Sequence, residues 1–261
     1  MKIASFNING VRARTHALDA WLEEAQPDVV VLQEIKTQDE GFPTALYEER
    51  GWHVAVHGQK GFNGVAMLSR LPIEDLSRGL PGDDTDEQAR LIEATVVGRR
   101  AVRICGIYLP NGNPAPGPKY DYKLAWMERL RRHAAAMLRA EMPAVLLGDF
   151  NVIPEPRDAA RPEAWALDAL FLPDTRAAFR RIVNQGWTDA IRIRDPHAIR
   201  GPFTFWDYQR MSWERDNGIR IDHLLLSPQA ADLMREVGID RAARGGDKPS
   251  DHVPVWVDLD A

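Results

Sequence analysis

The chain has 261 residues, of which 44% are hydrophobic and 27% charged, and it carries a formal net charge of −5. This composition is that of a globular protein with one large domain or two small ones, and its apolar runs are far shorter than the roughly 20 residues that a membrane-spanning helix needs. The mild acidity argues weakly against a nucleic-acid partner, but a net charge does not describe any single face of a protein.

The only cysteine is Cys105, which excludes an intrachain disulfide and a zinc site built on cysteines. It lies in an apolar, strand-like run, where a buried and inert thiol is expected rather than a nucleophile. A reducing cytoplasm fits this cysteine content. Because a strand-like run begins directly after Met1, we expect no signal or transit peptide in front of the fold.

In chain order, residues 2–8 are expected to form a strand, followed by a helix with Thr15 as its N-cap and Pro27 closing the segment. Apolar runs between polar or Gly/Pro breaks predict further strands at 28–34, 52–56, 64–69, 91–97, 102–109, 144–148, 187–193, 220–226 and 254–259. Helical periodicity predicts helices at 122–142, 162–171, 174–184 and 229–237, whereas the proline-rich segment 110–119 is expected to be a loop.

Strands therefore outnumber helices, and no low-complexity linker divides the chain. We expect one domain over residues 1–261, in which two packed sheets carry helices on their outside. A weak internal repeat is suggested by strand-like runs that end at Asn7 and Glu34 in the first half and at Asp149 and Asp222 in the second.

Four short motifs place oxygen or imidazole groups directly after apolar runs. They are Phe6-Asn7-Ile8-Asn9-Gly10, Leu32-Gln33-Glu34-Ile35-Lys36, Gly148-Asp149-Phe150-Asn151 and Ser250-Asp251-His252-Val253-Pro254. Taken singly, an acid at a strand end is an ordinary edge residue, and an Asp-x-Asn pair is an ordinary turn. Oxygen ligands gathered at several strand ends, however, suit Mg²⁺ or Mn²⁺. The four motifs together suggest a metal-dependent phosphoesterase.

Three further segments complete an ordered set: Gly61-Phe62-Asn63-Gly64-Val65, Tyr108-Leu109-Pro110-Asn111-Gly112 and Arg220-Ile221-Asp222. With them, the chain resembles the exonuclease III family of abasic-site endonucleases, within the endonuclease/exonuclease/phosphatase superfamily, over residues 3–255. The resemblance implies an α/β (α+β) fold, a four-layered sandwich of two packed, mainly antiparallel β-sheets flanked by helices.

The resemblance also implies a divalent cation, Mg²⁺ with Mn²⁺ as an alternative, and makes Glu34 its principal carboxylate with Asn7 near it. The full set of candidate metal-site residues is Asn7, Glu34, Asp149, Asn151, Asp251 and His252.

Five residues are implied to act in catalysis. Asp149 would orient or deprotonate the attacking water, and Asn151 would donate a hydrogen bond to the phosphate. His252 would contact the scissile phosphate while Asp222 orients its ring. Tyr108 would contact the phosphate through its hydroxyl, although an ordinary half-buried tyrosine is the simpler explanation from the sequence alone. Whether Asp149 or His252 is the general base stays open at this point.

Eight residues are candidates for substrate contact. Polar side chains that would otherwise be plain solvated surface are candidates for the phosphate backbone: Arg12, Lys36, Asn63 and Asn111. The other four candidates belong to a cluster whose ordinary explanation is core packing. By the resemblance, Phe205, Ile219 and Ile221 would wall an apolar pocket for a base-less deoxyribose flipped out of the duplex, and Trp206 is a further candidate for substrate contact.

We therefore predict a Mg²⁺-dependent DNA repair phosphodiesterase that acts as a cytoplasmic monomer on double-stranded DNA with abasic or 3′-blocked sites, with no membrane partner. It would cleave on the 5′ side of the abasic site, with 3′–5′ exonuclease and 3′-phosphodiesterase work as further activities. One alternative is an enzyme of the same superfamily that cleaves RNA or a phospholipid. The other is a catalytically inactive DNA-binding protein, which would be expected to lack a metal carboxylate or the Asp222–His252 pair.

Overall fold

A computed structural model describes all 261 residues. Its strands are Lys2–Asn7 (β1), Val29–Gln33 (β2), His53–His57 (β3), Val65–Ser69 (β4), Ile73–Arg78 (β5), Leu91–Val97 (β6), Ala101–Tyr108 (β7), Ala144–Asp149 (β8), Thr188–Asp189 (β9), Asp222–Leu226 (β10), Met234–Ile239 (β11) and Val255–Leu259 (β12). The α-helices are Val11–Ala25 (α1), Thr44–Glu48 (α2), Pro118–Arg139 (α3), Pro173–Val183 (α4), Ala190–Arg194 (α5) and Pro228–Ala231 (α6). Short 3₁₀ turns lie at Asp39–Gly41, Pro156–Asp158, Pro162–Trp165 and Arg241–Gly245.

The strands form two six-stranded sheets of matching design, in the orders β11-β12-β1-β2-β4-β3 and β5-β6-β7-β8-β10-β9. Each sheet has one parallel pair at its centre, β1–β2 in the first sheet and β7–β8 in the second. All other neighbouring strands are antiparallel. This arrangement confirms the predicted sandwich of two mainly antiparallel sheets.

The inner faces of the two sheets share one hydrophobic cluster, to which the first sheet contributes Ile3 and Val31 and the second Ile104 and Leu147. The central strands are buried on both faces, and β2 and β8 are buried along their whole length. Burial on both faces is the reason why these strands appear in the sequence as continuous apolar runs rather than as alternating patterns.

Helices cover the outer faces and complete the four layers. Helix α1 packs on the first sheet through Leu18 and Trp21. Helices α3 and α4 pack on the second sheet, where Leu130 and Phe179 belong to one cluster with Leu146. No helix combines the length and the apolar character needed to cross a bilayer.

Helix α1 begins earlier than predicted, at Val11, so the prediction of Thr15 as its N-cap is wrong. The Thr15 hydroxyl lies inside the helix and donates to the Val11 carbonyl at 3.0 Å. The first turn is held instead by backbone from the loop after β2, because Gly10 N donates to Glu34 O at 2.7 Å. A long-range backbone partner of this kind leaves no capping signal in the local sequence.

Several predicted elements in the second half are also wrong. The strand predicted at 187–193 is only the two residues of β9, after which Asp189 caps helix α5 by accepting from Arg192 N at 3.2 Å. The helix predicted at 162–171 is only the 3₁₀ turn Pro162–Trp165. The helix predicted at 229–237 is the short α6 followed by strand β11, which pairs with β12. Strand β5 was not predicted because its side chains are mostly exposed and form no apolar run.

Candidate active site

The carboxyl ends of the two parallel strand pairs bring the main candidate residues together. Asn7 ends β1 and Glu34 directly follows β2, while Tyr108 ends β7 and Asp149 ends β8. Because β1 packs against β8 and β2 against β7 across the sandwich, all four strand ends meet at one edge. The weak internal repeat predicted from the sequence is therefore right for Asn7, Glu34 and Asp149 but wrong for Asp222, which begins the antiparallel strand β10; the end of β7 at Tyr108 takes its place.

The backbone at this edge adopts conformations that side chains usually avoid. Glu34 and Asn151 both have left-handed backbones, with φ of 49° and 48°. Such conformations cost non-glycine residues on the order of 1–3 kcal/mol and cluster at functional sites. Gly148, just before Asp149, has φ of 145°, and a Cβ there would lie 2.0 Å from the Ile107 carbonyl oxygen. The position of Asp149 therefore depends on a glycine before it.

Asn7 joins the two principal carboxylates. Its Nδ2 donates to Glu34 Oε1 and to Asp149 Oδ2, both at 2.9 Å. Its Oδ1 accepts from the backbone nitrogen of Asn9 at 3.1 Å, which fixes the orientation of the buried amide. Glu34, Asp149 and His252 each offer a ligand atom, and these atoms lie within 4.8 Å of one another.

His252 lies between two aspartates. Its Nδ1 donates to Asp222 Oδ2 at 2.9 Å, and its Nε2 lies 3.6 Å from Asp149 Oδ2. The Asp222 contact sets the orientation of the ring, so that Nε2 faces Asp149. Phe205 packs against the imidazole at 67°, with 5.0 Å between ring centroids.

The charges of this group depend on one another. Burial raises the pKa of Asp149 to about 7; the His252 charge opposes this rise, and the Asp222 and Glu34 carboxylates add to it. Burial alone would lower the pKa of His252, but the carboxylates of Asp222 and Asp149 outweigh it and raise that pKa to about 10. The structure therefore favours an imidazolium next to an aspartate that exchanges a proton easily near neutral pH.

Glu34 stays charged in spite of its burial. Burial would raise the pKa of Glu34, but the Lys36 ammonium and the Asn7 hydrogen bond outweigh it and bring that pKa below its usual value. Lys36 Nζ lies 3.0 Å from Glu34 Oε2. Lys36 also donates to Asn9 Oδ1, and Asn9 Nδ2 donates to Asp251 Oδ1 at 2.9 Å. Asn9 thus connects two predicted site residues, although the sequence analysis assigned it no role.

Asn151 is held on three sides. Its backbone nitrogen donates to Asp149 Oδ1 at 2.9 Å, and its Nδ2 donates to Leu109 O at 2.9 Å. The ammonium of Lys123 donates to Asn151 O at 2.6 Å and to Asn111 O at 2.9 Å. Lys123 has no solvent exposure, and burial lowers its pKa to about 7. Lys123, on α3, therefore holds the loops at Asn111 and Asn151 in place. No local sequence motif indicates this role.

A cavity of about 230 Å³ opens beside Asp149 and His252. Nine predicted residues line it: Glu34, Tyr108, Asn111, Asp149, Asn151, Phe205, Ile221, Asp251 and His252. Four further lining residues were missed: Asn113, Trp165, Asp168 and Leu170.

The missed residues belong to two irregular segments that are bonded to each other. Asn113 Nδ2 donates to Asp168 Oδ1 at 3.0 Å, and Asn113 Oδ1 accepts from Ala169 N at 3.1 Å. In the sequence, an asparagine within the proline-rich loop is the only feature that could have suggested this contact. This contact was missed because a helix was predicted over 162–171, and helical periodicity would point these side chains in other directions.

Tyr108 presents a neutral hydroxyl to the cavity. Burial raises the pKa of Tyr108 well above its ordinary value, and the Glu34 and Asp149 carboxylates add to the rise. The guanidinium of Arg90 lies 5.0 Å from the centre of the Tyr108 ring and donates to Tyr108 O at 3.1 Å. The phenol is therefore a hydrogen-bond donor at neutral pH.

The structure leaves five predicted substrate contacts outside the cavity wall. Arg12 is exposed on α1, and Lys36 reaches the site only through Glu34 and Asn9. Asn63 is nearly buried and donates to Gln59 Oε1 at 2.9 Å. The remaining two, Trp206 and Ile219, are described below.

Trp206 and Ile219 are core residues rather than cavity walls. Trp206 is completely buried, and its Nε1 donates to Asp216 Oδ1 at 3.2 Å. Ile219 is buried beneath Phe205 and pairs with it through a backbone bridge. Phe205 and Ile221 line the cavity, with Ile219 supporting them.

The donor set fits a hard divalent cation. The Glu34 and Asp149 carboxylates converge within 4.8 Å, and the Asn7 amide connects them, while His252 lies beside them. Oxygen ligands of this kind suit Mg²⁺ and Mn²⁺, which keep open positions for water and phosphate oxygens.

Comparison with known proteins agrees with this geometry. Residues 4–252 match the endonuclease/exonuclease/phosphatase family. Exodeoxyribonuclease III of Haemophilus influenzae is 36% identical over 267 residues, which span 99% of this chain and 100% of that protein. The chain belongs to the exonuclease III and AP endonuclease family of hydrolytic nucleases. The resemblance found in the sequence is thereby confirmed.

Solved structures in the family superpose on the whole chain. An AP endonuclease from Archaeoglobus fulgidus is 37% identical with a TM-score of 0.93, and the two chains cover each other completely. The 3′ phosphatase NExo from Neisseria, bound to a product DNA hairpin, is 35% identical with a TM-score of 0.94, again with complete coverage of both chains.

Proposed function

We propose that the protein is a Mg²⁺-dependent DNA repair nuclease that hydrolyses duplex DNA on the 5′ side of abasic sites and leaves a 3′-hydroxyl, with Mn²⁺ as a substitute cation. The observation that carries this proposal is the small cavity with an apolar wall directly beside Asp149 and His252. An AP endonuclease and a 3′ phosphatase bound to a DNA hairpin among the similar structures support DNA as the substrate and 3′ ends as a second target.

The cation would be held by Glu34 and Asp149, with Asn7, Asn151, Asp251 and His252 around them. When bound, it supplies positive charge that neutralises the scissile phosphate. The remaining steps are carried by side chains of this chain.

Asp149 is proposed as the general base. Hydrogen bonds from Asn7 Nδ2 and from the backbone nitrogen of Asn151 fix its carboxylate, which then orients a water and takes its proton. His252 is proposed as an imidazolium, because carboxylates at 2.9 Å and 3.6 Å on its two sides keep it charged. A charged imidazole cannot accept the proton, but its Nε2–H can donate to a phosphoryl oxygen and stabilise the pentacovalent transition state.

Tyr108 and Asn151 complete the phosphate contacts. The Tyr108 hydroxyl donates to a phosphate oxygen. The Asn151 amide gives one N–H to Leu109 O and has a second for the phosphate. Backbone contacts to the DNA would come from Arg12, Lys36, Asn63 and Asn111, and they would be independent of sequence.

The cavity volume favours an abasic sugar over larger groups. About 230 Å³ is below the roughly 300–1,000 Å³ of typical small-molecule pockets. Phe205 and Ile221 offer an apolar wall to a deoxyribose, and a missing base lowers the cost of flipping the sugar out of the stack. A lipid head group or a nucleotide with its base would fit less well. Because every candidate metal and catalytic residue is present, an inactive binding protein is the weaker alternative.

The test is a duplex that carries a tetrahydrofuran abasic analogue and a 5′ label, next to an intact duplex, each with Mg²⁺ or with EDTA. We expect one incision at the lesion, only with Mg²⁺, and a product end that a DNA polymerase extends. Stepwise shortening of both duplexes without incision at the lesion would overturn the abasic-site proposal and leave a 3′ exonuclease. That the protein acts as a cytoplasmic monomer stays a prediction.

A further inference from the structure

A second group of metal-ligating side chains lies on the outer face of the second sheet, where α3 packs. Glu93 on β6 and Cys105 on β7 are paired across the two strands, and His133 reaches them from α3. One ligand atom of each residue lies within 4.8 Å of the others. None of the three lines the active-site cavity.

Burial and hydrogen bonds hold the three side chains in place. Cys105 is completely buried and Glu93 is 3% exposed. Glu93 Oε2 is hydrogen-bonded to His133 Nε2, while Oε1 accepts from Arg103 Nε at 2.5 Å. Arg103 thus occupies one oxygen of Glu93 and leaves the other directed at His133. A carboxylate ligand whose second oxygen is hydrogen-bonded is the usual arrangement around a bound metal.

An access route to this group exists. A cavity of about 340 Å³ opens onto Glu93 and His133, and Asp83, Asp84 and Asp86 form part of its wall. Arg129 pairs with Asp86 at 2.8 Å and lies 3.7 Å from Asp83. Asp84 is exposed. Because Arg129 offsets the charges of Asp83 and Asp86, and Arg78 also lies in the wall, the carboxylate that this rim presents to an approaching cation is that of Asp84.

We propose that Glu93, Cys105 and His133 form a second metal site, selective for Zn²⁺ and other cations that bind thiolates, with its fourth position open to this cavity. A thiolate and an imidazole are the ligands that Zn²⁺ prefers, whereas Mg²⁺ prefers the oxygen-rich group at Glu34 and Asp149. Bonds of about 2.0–2.3 Å place zinc ligands roughly 3.5 Å apart, so small side-chain movements complete the site. A single cysteine excludes zinc sites built on several cysteines, but here the fold adds a histidine and a glutamate from other elements.

Metal binding exchanges a proton for the cation. Burial and the neighbouring Glu93 raise the pKa of the Cys105 thiol, so the site without metal holds an S–H group. Zn²⁺ forms bonds to the Cys105 sulfur and to His133 Nε2; the thiol proton leaves to solvent, and the Nε2 proton that His133 donates to Glu93 moves to Nδ1 or to solvent. The bound ion joins α3 to β6 and β7, and its expected effect is a higher melting temperature of the protein rather than a change in the reaction.

The experiment uses Co²⁺ as a spectroscopic probe for Zn²⁺, added to the full-length protein in excess Mg²⁺. Because Cys105 is the only cysteine, a thiolate-to-cobalt charge-transfer band can arise at no other position. We expect this band at one equivalent of Co²⁺, with its loss when Zn²⁺ is added. The absence of the band at saturating Co²⁺ in the folded protein would overturn the proposal.

Variants separate this site from the active site. Cys105→Ser should remove the band and keep Mg²⁺-dependent nuclease activity. His133→Gln should weaken Co²⁺ binding by about tenfold or more. His252→Ala, in the oxygen-rich group, should keep both the band and the affinity. If His133→Gln folds and binds Co²⁺ as tightly as the wild type, the ligand set is wrong, whether or not Cys105→Ser can be purified.

Discussion

Asp222 on β10 lies directly opposite Asp149 on β8, and the imidazole of His252 bridges their carboxylates. Two buried carboxylates on neighbouring strands repel each other, and the charge on His252 offsets that repulsion. The register between β8 and β10 places the two aspartates opposite each other, and the loop before β12 supplies His252. Removal of Asp222 therefore changes the ionisation of both Asp149 and His252.

Replacing Asp149 with asparagine should abolish cleavage without loss of folding. The variant keeps the shape of the side chain and the hydrogen bond from the Asn151 backbone, but it has no base, so kcat should fall by about 10²–10⁴-fold or more. Since the change also removes a buried negative charge next to Asp222 and Glu34, the melting temperature should stay equal or rise. Steady-state incision of the abasic duplex and thermal unfolding measure the two effects; full activity in the variant would contradict the proposed base.

Replacing Asp222 with asparagine should move the alkaline limb of the kcat profile to lower pH. His252 acts while protonated, so activity is lost as the pH rises through its pKa, which Asp222 helps to raise to about 10. Without that carboxylate the pKa of His252 falls, and the rate above neutral pH should fall by about 10–100-fold. The measurement is kcat between pH 6 and 10, with exposed Asp207→Asn as the control. An unchanged alkaline limb would show that His252 does not act as an imidazolium.

Replacing Lys123 with methionine should lower kcat with little effect on KM. The ammonium bonds to the carbonyls of Asn111 and Asn151, so the variant leaves one buried acceptor, Asn151 O, and one partly buried acceptor, Asn111 O, without this donor and loosens both loops. We expect a loss of stability of about 2 kcal/mol and a fall in kcat of about tenfold. The control is Lys119→Met, at an exposed lysine of the same helix. Equal kcat in the two variants, measured well below both melting temperatures, would argue against a positioning role for Lys123.

The contribution of His223 to the free energy of unfolding should become less favourable as the pH drops from about 6.5 to 4. Its Nε2 donates to Val152 O at 3.0 Å and its Nδ1 accepts from Arg220 at 3.1 Å, so the buried ring is neutral. Burial, with the Arg220 charge, lowers the pKa of His223 to about 4. The unfolded chain binds a proton near pH 6.5 that the folded protein does not bind, which removes on the order of 3 kcal/mol of stability by pH 4.

Urea unfolding at pH 7, 6 and 5 tests this dependence. The free energy of unfolding of His223→Gln, which keeps polar atoms but cannot be protonated in this range, should rise relative to that of the wild type as the pH falls from 7 to 5. Parallel curves for wild type and variant would assign the acid sensitivity to other groups. The pKa values of Asp158 and Asp189 are also lowered, against their burial, by the charge of Arg220, and this contribution to stability is lost at still lower pH.

The sequence predicts the centre of the fold better than its periphery. Strands β2 and β8 are buried on both faces, so each appears as an apolar run with Glu34 or Asp149 at its end. Strand β11 was predicted as helix because Arg235 and Glu236 point to solvent at a sheet edge and leave no strand pattern. Its conformation depends on pairing with β12, which local sequence does not encode.

The active-site residues differ in the same way, because those at strand ends were predicted and those in irregular segments were not. Residues at strand ends, such as Glu34 and Asp149, could be identified from the sequence because position and chemistry coincide there. Trp165 and Leu170 could not, because an irregular segment carries no periodicity from which the direction of a side chain follows. Lys123 lies on the buried face of a helix, where a lysine contradicts the usual pattern. Only the tertiary structure shows the two carbonyls that it binds.

The most direct test of the proposed function is a competition in one reaction mixture. Wild-type protein with Mg²⁺ would receive equal amounts of the abasic-analogue duplex, the same duplex undamaged and an RNA strand of the same sequence, each with its own label. We expect incision on the 5′ side of the lesion at a kcat/KM about 100-fold or more above that for the other two substrates. Cleavage of RNA or of undamaged DNA at a comparable rate would contradict this expectation.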